Sequence, residues 1–160
     1  MEKPWSRLGF GRSQKGIALE PLKRKRRSGI PTGNAGEYFV MGELLRRGFD
    51  AQLADRNTKG YDLLVGRPDD NAPLAKIQVK TVRTSPWYVS KSQFEGEKLN
   101  AVTIYVLLGD EHCKNPVQYF ITKNRDVAEH YDAPESWGST GFMNLKPLLP
   151  YKDCWQAVLT

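Results

Sequence analysis

Residues 61–82 have the sequence YDLLVGRPDDNAPLAKIQVKTV, and this stretch decides the fold. The short, mostly apolar segment at residues 61–65 predicts one β-strand, and residues 74–82 predict a second. Between them, residues 67–73 are rich in Pro, Asp and Asn, which is typical of a turn. In the second strand, Leu, Lys, Gln and Lys occupy alternate positions, and Ala, Ile, Val and Thr occupy the others. Such alternation predicts a strand whose two faces have different surroundings.

A hairpin built from these strands brings three polar side chains together. If the loop is centred near residue 70, Asp62 lies opposite Gln78, and Lys80 follows further along the same face. A register shift of two residues leaves Asp62 opposite Lys80, whereas a shift of one moves Asp62 to the other face. We therefore expect a carboxylate, an amide and an ammonium group on one face of the sheet.

The residues before this hairpin predict a helix that carries a further carboxylate. The helical pattern begins at Gly33, with Asn34 as the capping residue and Glu37 placed as in a capping box. Gly48, after two arginines, ends the pattern. Apolar residues follow Glu37 on its helix, where an unpaired carboxylate is unfavourable. Glu37 is therefore a capping partner or a metal ligand, and the first role does not exclude the second.

The rest of the chain predicts strands with shorter helices. Residues 83–100 are polar and contain Pro86, which predicts a long loop. Further strands are predicted at residues 50–54, 102–108 and 117–122, and a short helix at residues 124–131. This order predicts an α/β domain built around a mixed sheet.

Basic residues are concentrated at the N-terminus of the 160-residue chain. Nine of the 24 lysines and arginines but only two of the 18 acidic residues lie in residues 1–30, so this segment has a net charge of +7 and the remainder −1. We therefore divide the chain into a basic arm, residues 1–31, and a domain of residues 32–160. Five consecutive cations suit a polyanion. Contact with nucleic acid is predicted for Lys23, Arg24, Lys25, Arg26 and Arg27.

Outside the arm, cations and an aromatic side chain provide further candidate DNA contacts, because DNA-facing loops combine both kinds of residue. These candidates are Lys59, Arg83, Trp87 and Lys91. The alternative for Trp87 is that it packs back onto the domain.

Several classes of protein and site are not supported. No apolar run approaches the roughly 20 residues that cross a bilayer, so we expect no membrane partner. Cys113 and Cys154 lie far apart, which indicates no disulfide framework and favours a cytoplasmic location. His112 and Cys113 lack a second ligand pair at the spacing of a zinc site. No motif for a small-molecule organic cofactor is present, since the Gly-x-Gly at residues 9–11 lacks a flanking strand and helix.

Asp62, Gln78, Lys80 and Glu37 together suit phosphodiester hydrolysis. Mg²⁺ prefers oxygen ligands and keeps several waters, so two carboxylates with an amide or backbone carbonyl can hold it. The metal polarises a phosphoryl oxygen, while a nearby lysine stabilises the developing charge. Each residue also has a purely structural explanation: a helix cap for Glu37, a turn-bound strand end for Asp62, a solvent-facing position for Gln78 and an edge lysine for Lys80.

Three segments resemble the PD-(D/E)xK nuclease superfamily: Glu37 on the first helix, residues 60–65 (GYDLLV) and residues 77–81 (IQVKT). The resemblance covers residues 33–82 and implies a restriction-endonuclease-like αβββαβ core, with a central mixed sheet flanked by helices. It also implies dependence on Mg²⁺ or Mn²⁺ and products with a 5′-phosphate. Gln78 departs from the family pattern, which has Glu or Asp there, and an amide is the weaker metal ligand.

Carried over position by position, the resemblance implies a role for each residue. Asp62 is the central metal ligand, with Gln78 and the backbone carbonyl of Val79 beside it. Lys80 orients the attacking water, and Glu37 binds the metal directly or through water. The sequence thus predicts a metal-dependent DNA endonuclease, and a homodimer is a further expectation because one site cuts one strand. The alternatives are a nuclease fold that binds nucleic acid without cutting it, a structure-specific, Holliday-junction-type resolvase, and an RNA-directed or adaptor protein whose basic arm binds another macromolecule.

Overall fold

The computed structural model describes residues 29–55, 57–69 and 71–159. Its α-helices are α1 (Ile30–Arg46), α2 (Asn124–Val127) and α3 (Leu145–Leu148). Its strands are β1 (Asp50–Leu53), β2 (Leu63–Gly66), β3 (Ala75–Val82), β4 (Trp87–Ser90), β5 (Val102–Leu107), β6 (Gln118–Lys123) and β7 (Thr140–Met143). Short 3₁₀ turns occupy Lys91–Phe94, Gly96–Asn100, Ala128–His130, Glu135–Trp137, Leu149–Tyr151 and Trp155–Leu159. Because residues 1–28 lie outside this description, the division of the chain at residue 31 stays a prediction.

The larger of two sheets is mixed. Its strand order is β1-β2-β3-β5-β6, with β3 and β5 parallel and each other neighbouring pair antiparallel. Parallel strands need a long crossover connection, which residues 83–101 supply. The predicted fold class, a mixed sheet flanked by helices, is confirmed. The five strands predicted from hydrophobic alternation and β-branched residues are all present, with small differences at their ends.

Both faces of the larger sheet are covered, so its central strands are apolar. One core lies between the sheet, α1 and the C-terminal 3₁₀ turn, and includes Val40, Leu44, Ile77, Val79 and Trp155. A second core lies on the other face, beneath the two-stranded sheet β4-β7, and includes Trp87, Tyr105, Phe120, Met143 and Leu148. Strand β5 contributes to both cores, which explains why successive residues along it are buried.

Helix α1 begins earlier than predicted. Pro31 lies in its first turn, where proline is favoured because the missing N–H would be unpaired there and the fixed φ suits a helix. Asn34 and Glu37 therefore lie inside the helix, and the predicted capping box is wrong. Glu37 is consequently not explained as the partner of a capping asparagine.

The connection between β3 and β5 is more ordered than predicted. Instead of one long loop, it contains β4 and two 3₁₀ turns. Strand β4 pairs antiparallel with β7, which lies far along the chain at Thr140–Met143. The local pattern does not predict this strand, because it is short, lies between polar segments and finds its hydrogen-bonding partner far along the chain.

The predicted helix at residues 124–131 is also shorter than expected, since α2 is followed by the 3₁₀ turn Ala128–His130. Within the described part of the chain, no helix has the length and apolar character needed to cross a bilayer.

Candidate active site

Asp62 lies immediately before β2, where the hairpin departs from regular pairing. Leu63 pairs with Ile77, which is the predicted register. The N–H of Asp62, however, also donates to the carbonyl oxygen of Ile77 at 2.8 Å. Two successive residues thus face one residue of β3, which is the arrangement of a β-bulge. The predicted pairing of Asp62 with Gln78 is therefore wrong. The bulge instead directs the Asp62 side chain towards the backbone of β3.

The Asp62 carboxylate binds the backbone of β3 directly. The N–H of Val79 donates to Oδ2 of Asp62 at 2.7 Å. This amide lies beyond the last β2–β3 pair, so the carboxylate supplies the acceptor that the ladder lacks. Because the N–H and C=O of one strand residue point to the same edge, the Val79 carbonyl also faces the Asp62 side. The structure therefore places a carboxylate and a backbone carbonyl together at an open strand edge.

Lys80 is half-buried and lies close enough to Asp62 for their charges to interact. Burial lowers the pKa of the Lys80 ammonium, and the negative charge of Asp62 opposes that lowering. Strand β3 is the central strand of the sheet, so Lys80 is not an exposed edge lysine. Its neighbour on β5 is Tyr105, which is fully buried. An ammonium group in such surroundings is well suited to stabilise charge that develops on a phosphate.

A cleft of about 420 Å³ lies between α1 and the turn that precedes β2. Glu37 of α1 and Asp62 both line it, as does Asp55. Ile30 and Tyr38 supply apolar parts of its wall, and both side chains are largely exposed. The structure therefore brings Glu37 and Asp62 to one opening, even though the two residues lie on different elements.

Gln78 is not part of this cleft. It lines a separate cavity of about 180 Å³, together with Gly60 and Lys76. Ile77 and Val79 point into the first core, so the alternate residues Gln78 and Lys80 both face the other side of the sheet, as predicted for this pair. Gln78 thus lines the neighbouring cavity and not the cleft of Glu37 and Asp62, and its predicted role at the metal stays a prediction.

The donor groups of the cleft suit a cation that is held largely through water. Among residues 29–55, 57–69 and 71–159, no three His, Cys, Asp or Glu side chains form a group able to hold a metal ion. Mg²⁺ does not require such a group, because it retains several waters and is often bound through one or two carboxylates. Asp62, the Val79 carbonyl and Glu37 are the residues that fit this kind of site.

The predicted DNA contacts differ in accessibility. Lys59, Arg83 and Lys91 are exposed, and the Lys91 ammonium lies 3.9 Å from the Glu95 carboxylate. Trp87, in contrast, has no exposed surface, and its indole N–H donates to the carbonyl of Val106 at 3.1 Å. Its prediction as a DNA contact is wrong, since it fills the second core. The five cations at residues 23–27 lie outside the described residues.

Sequence reasoning missed a buried polar cluster beside β3. Gln93, Thr103 and Asn124 are almost completely buried and are joined to one another and to the Tyr105 hydroxyl by hydrogen bonds. Thr103 is the register neighbour of Gln78, as Tyr105 is of Lys80. The available signal was the polar Thr103 within the largely apolar β5, because Gln93 and Asn124 lie in mostly polar segments where another amide does not stand out.

Comparisons with known proteins support the fold. No protein-family model matches the chain, and no curated protein is significantly similar to it. Archaeoglobus fulgidus Hjc, a Holliday junction resolvase from an archaeal hyperthermophile, has a TM-score of 0.49 and 17% identity, over 78% of this chain and 94% of its own. The bacterial homing endonuclease I-Ssp6803I has a TM-score of 0.50 and 16% identity, over 82% of this chain and 91% of its own. At such identities, the likeness to the homing endonuclease concerns the fold.

Proposed function

We propose that this chain is a metal-dependent endonuclease that hydrolyses DNA phosphodiester bonds at the cleft lined by Glu37 and Asp62. The observation that carries the proposal is the arrangement at the edge of β3. There the Asp62 carboxylate is held by the Val79 amide at 2.7 Å, next to the half-buried Lys80. The likeness of the fold to that of a bacterial homing endonuclease agrees with this function.

Each residue has a distinct role in the proposed reaction. Asp62, the Val79 carbonyl and Glu37 would hold Mg²⁺ or Mn²⁺, which supplies Lewis-acid polarisation of the phosphodiester when bound. The bond from Val79 fixes the Asp62 carboxylate in one orientation before substrate arrives. Lys80 stabilises the negative charge that develops on the phosphate and orients the attacking water.

The charge distribution supports a polyanionic substrate. Arg27 is joined to Ile30 through only two residues, and Ile30 lines the cleft. The run of five cations therefore lies directly before, in sequence, the helix that lines the candidate site. Exposed Lys59, close in sequence to Asp62, adds a cation on the described domain. These charges supply affinity for phosphates without reading sequence.

The first experiment is a cleavage assay with the full chain. Supercoiled plasmid, linear duplex, single-stranded and four-way-junction DNA are incubated with Mg²⁺, Mn²⁺ or EDTA. We expect metal-dependent cutting that leaves 5′-phosphate ends, and a loss of about 100-fold or more in rate for Asp62→Asn and Lys80→Ala. The preferred DNA identifies the class of substrate, including whether the chain acts as a junction resolvase.

Matched controls separate loss of chemistry from loss of structure. Asp69→Asn and Lys146→Ala make the same substitutions at exposed positions outside the cleft, and both should retain the wild-type rate. Circular dichroism and thermal unfolding establish that all four variants fold. Cutting that survives Asp62→Asn, or that proceeds equally well in EDTA, would contradict the proposal.

A second candidate function is DNA binding without cleavage. It is favoured by the separation of Gln78 from the cleft and by the lack, in the described part of the chain, of a group of three acidic, His or Cys ligands. Under this alternative, DNA is bound in the presence and absence of metal, and none of the four DNA forms is cut.

A further inference from the structure

The cavity beside Gln78 is built from amide side chains, two lysines and one carboxylate. Besides Gln78, the polar groups that line it are the buried Gln93 and Asn124 and the exposed Lys76, Glu97 and Lys98, with Gly60 at its edge. Its volume is about 180 Å³. Gln93 and Asn124 are 4% and 1% exposed, so this part of the polar lining is held in the interior of the domain.

Hydrogen bonds fix the orientation of both buried amides. Asn124 Nδ2 donates to the carbonyls of Gln93 and Lys98, at 3.1 and 2.8 Å, so its Oδ1 must face the other way. That oxygen accepts hydrogen bonds from the Thr103 hydroxyl at 2.7 Å and from Gln93 Nε2 at 3.2 Å. Gln93 Nε2 also donates to the Tyr105 hydroxyl at 3.1 Å. Since the Gln93 nitrogen is committed to this cluster, its Oε1 is the atom left to accept a hydrogen bond from the cavity.

The cavity is adjacent to the cleft. Gly60 lines the cavity and Asp62 lines the cleft, and two residues span at most about 7 Å. Lys76, which lines the cavity, also places its ammonium 5.2 Å from the ring centre of Tyr61, which lines the cleft. One nucleotide of an extended strand can therefore bridge the two openings.

We propose that this cavity receives one unpaired nucleobase of the DNA substrate, next to the phosphate held in the cleft. This inference rests on the proposed function, because it assumes that the ligand is DNA. The edge of a nucleobase presents donors and acceptors in one plane, and side-chain amides match such edges with paired hydrogen bonds. Gln78 provides this paired recognition, Gln93 Oε1 accepts one further hydrogen bond, and Lys76 and Lys98 contact the flanking phosphates. A base can enter a concave cavity only when it is outside the stack, so the strand is single or locally opened.

This inference gives Gln78 a role that differs from metal binding. An amide can donate and accept hydrogen bonds at once, whereas a carboxylate at neutral pH can only accept them. Replacement of Gln78 by the family's usual Glu would therefore damage a base-reading cavity, although it would improve a metal site. The two roles predict opposite results for the same substitution.

The test measures binding in EDTA, where no metal takes part and no DNA is cut. Fluorescence anisotropy gives the affinity of the full chain for four homopolymeric single strands of about 12 nucleotides and for an abasic strand of equal length. We expect the wild type to prefer one base over the abasic strand roughly tenfold, and Gln78→Ala and Gln78→Glu to reduce that preference to about twofold or less. Gln52→Ala, at an exposed glutamine of β1, should retain the full preference.

The result that overturns the inference is a base preference that is missing in the wild type or unchanged in both Gln78 variants. A gain in Mg²⁺-dependent cutting by Gln78→Glu, with its base preference intact in EDTA, would assign Gln78 to the metal instead. Failure of this inference can be distinguished from failure of the proposed function. A chain that never cuts DNA can still show the base preference in EDTA and lose it in the Gln78 variants.

Discussion

Burial and the charge of Asp62 have opposite effects on the pKa of Lys80. Burial lowers the pKa of its ammonium from the ordinary value of 10.5, and the Asp62 carboxylate partly offsets the effect. The charged form is therefore less favoured in the folded chain than in the unfolded one. Below the lowered pKa both states hold the proton, whereas between that pKa and 10.5 the unfolded state binds more protons. Lys80 thus contributes a stability that rises with pH through this window.

We expect the pKa of Lys80 to lie below 10.5 and to fall further in Asp62→Asn, because the substitution removes the charge that favours the ammonium. NMR of lysine labelled at Cε, assigned by the missing signal of Lys80→Arg, measures both values. Asp69→Asn is the matched control and should leave the Lys80 titration unchanged. An Asp62→Asn variant whose Lys80 pKa rises would show that the two charges do not interact as described.

At the same scale, the hairpin register and the alternation along β3 predict Asp62, Gln78 and Lys80 as site residues but do not predict the bulge. The bulge depends on a hydrogen bond from the Asp62 amide to Ile77, which no sequence pattern reports. Trp87 and Tyr88 show the same limit more plainly. Both are aromatic, yet Trp87 is buried and Tyr88 is 61% exposed. Which of them faces inward follows from the pairing of β4 with β7, and hence from residues far along the chain.

The contact between α1 and β3 is the element-scale feature that positions Glu37. Gly36 is buried, and a Cβ built there would overlap the side chain of Thr81. Helix and strand can approach this closely only because the position has no side chain. Glu37 is the next residue along the helix, so the packing distance at Gly36 determines how Glu37 reaches the cleft.

We expect Gly36→Ala to lower the free energy of unfolding by about 1–3 kcal/mol, because the new methyl group forces the helix or Thr81 to move. Urea unfolding measures the change. Gly42→Ala on the same helix meets no atom within 4 Å and should instead stabilise the chain by about 0.5–1 kcal/mol, through better helix propensity. Equal changes in the two variants would contradict the packing argument.

Sequence periodicity is sufficient to predict long or strongly alternating elements, but it is insufficient to predict short ones. It predicts α1, β3 and β5, although Pro31 starts α1 before the Asn34 cap that the sequence favours. It misses β4 and β7, which are four residues each and hydrogen-bond to each other across a large separation in sequence. Tertiary pairing, not local preference, decides such strands.

At the scale of the whole molecule, the charge of the chain is separated from its core. The net charge of +6 arises from residues 1–30, while the fold is built from the nearly neutral remainder. Under the proposed function, affinity for the DNA backbone and the chemistry at the cleft reside in different parts of the chain. The two can be altered separately by substitution.

Replacing Lys23, Arg24, Lys25, Arg26 and Arg27 with glutamine should weaken binding to duplex DNA and reduce its salt dependence. If each cation contacts a phosphate, the slope of log K against log salt changes by about 4.5. Binding titrations in EDTA at several NaCl concentrations measure the slope. Lys114→Gln with Lys146→Gln, at exposed positions outside the cleft, should alter it little. A slope that the fivefold substitution leaves unchanged would exclude the arm from DNA binding.

The mixed pairing of β3 also sets an order of assembly during synthesis. Its antiparallel partner β2 is separated from it by a short turn, whereas its parallel partner β5 is reached only after the crossover. Contacts between residues close in sequence form faster than distant ones. The bond between Asp62 and Val79 can thus form while the C-terminal half is still being made. The amide cluster cannot be complete until Asn124 has been synthesised, so the cavity depends on a later part of the chain than the bond between Asp62 and Val79 does.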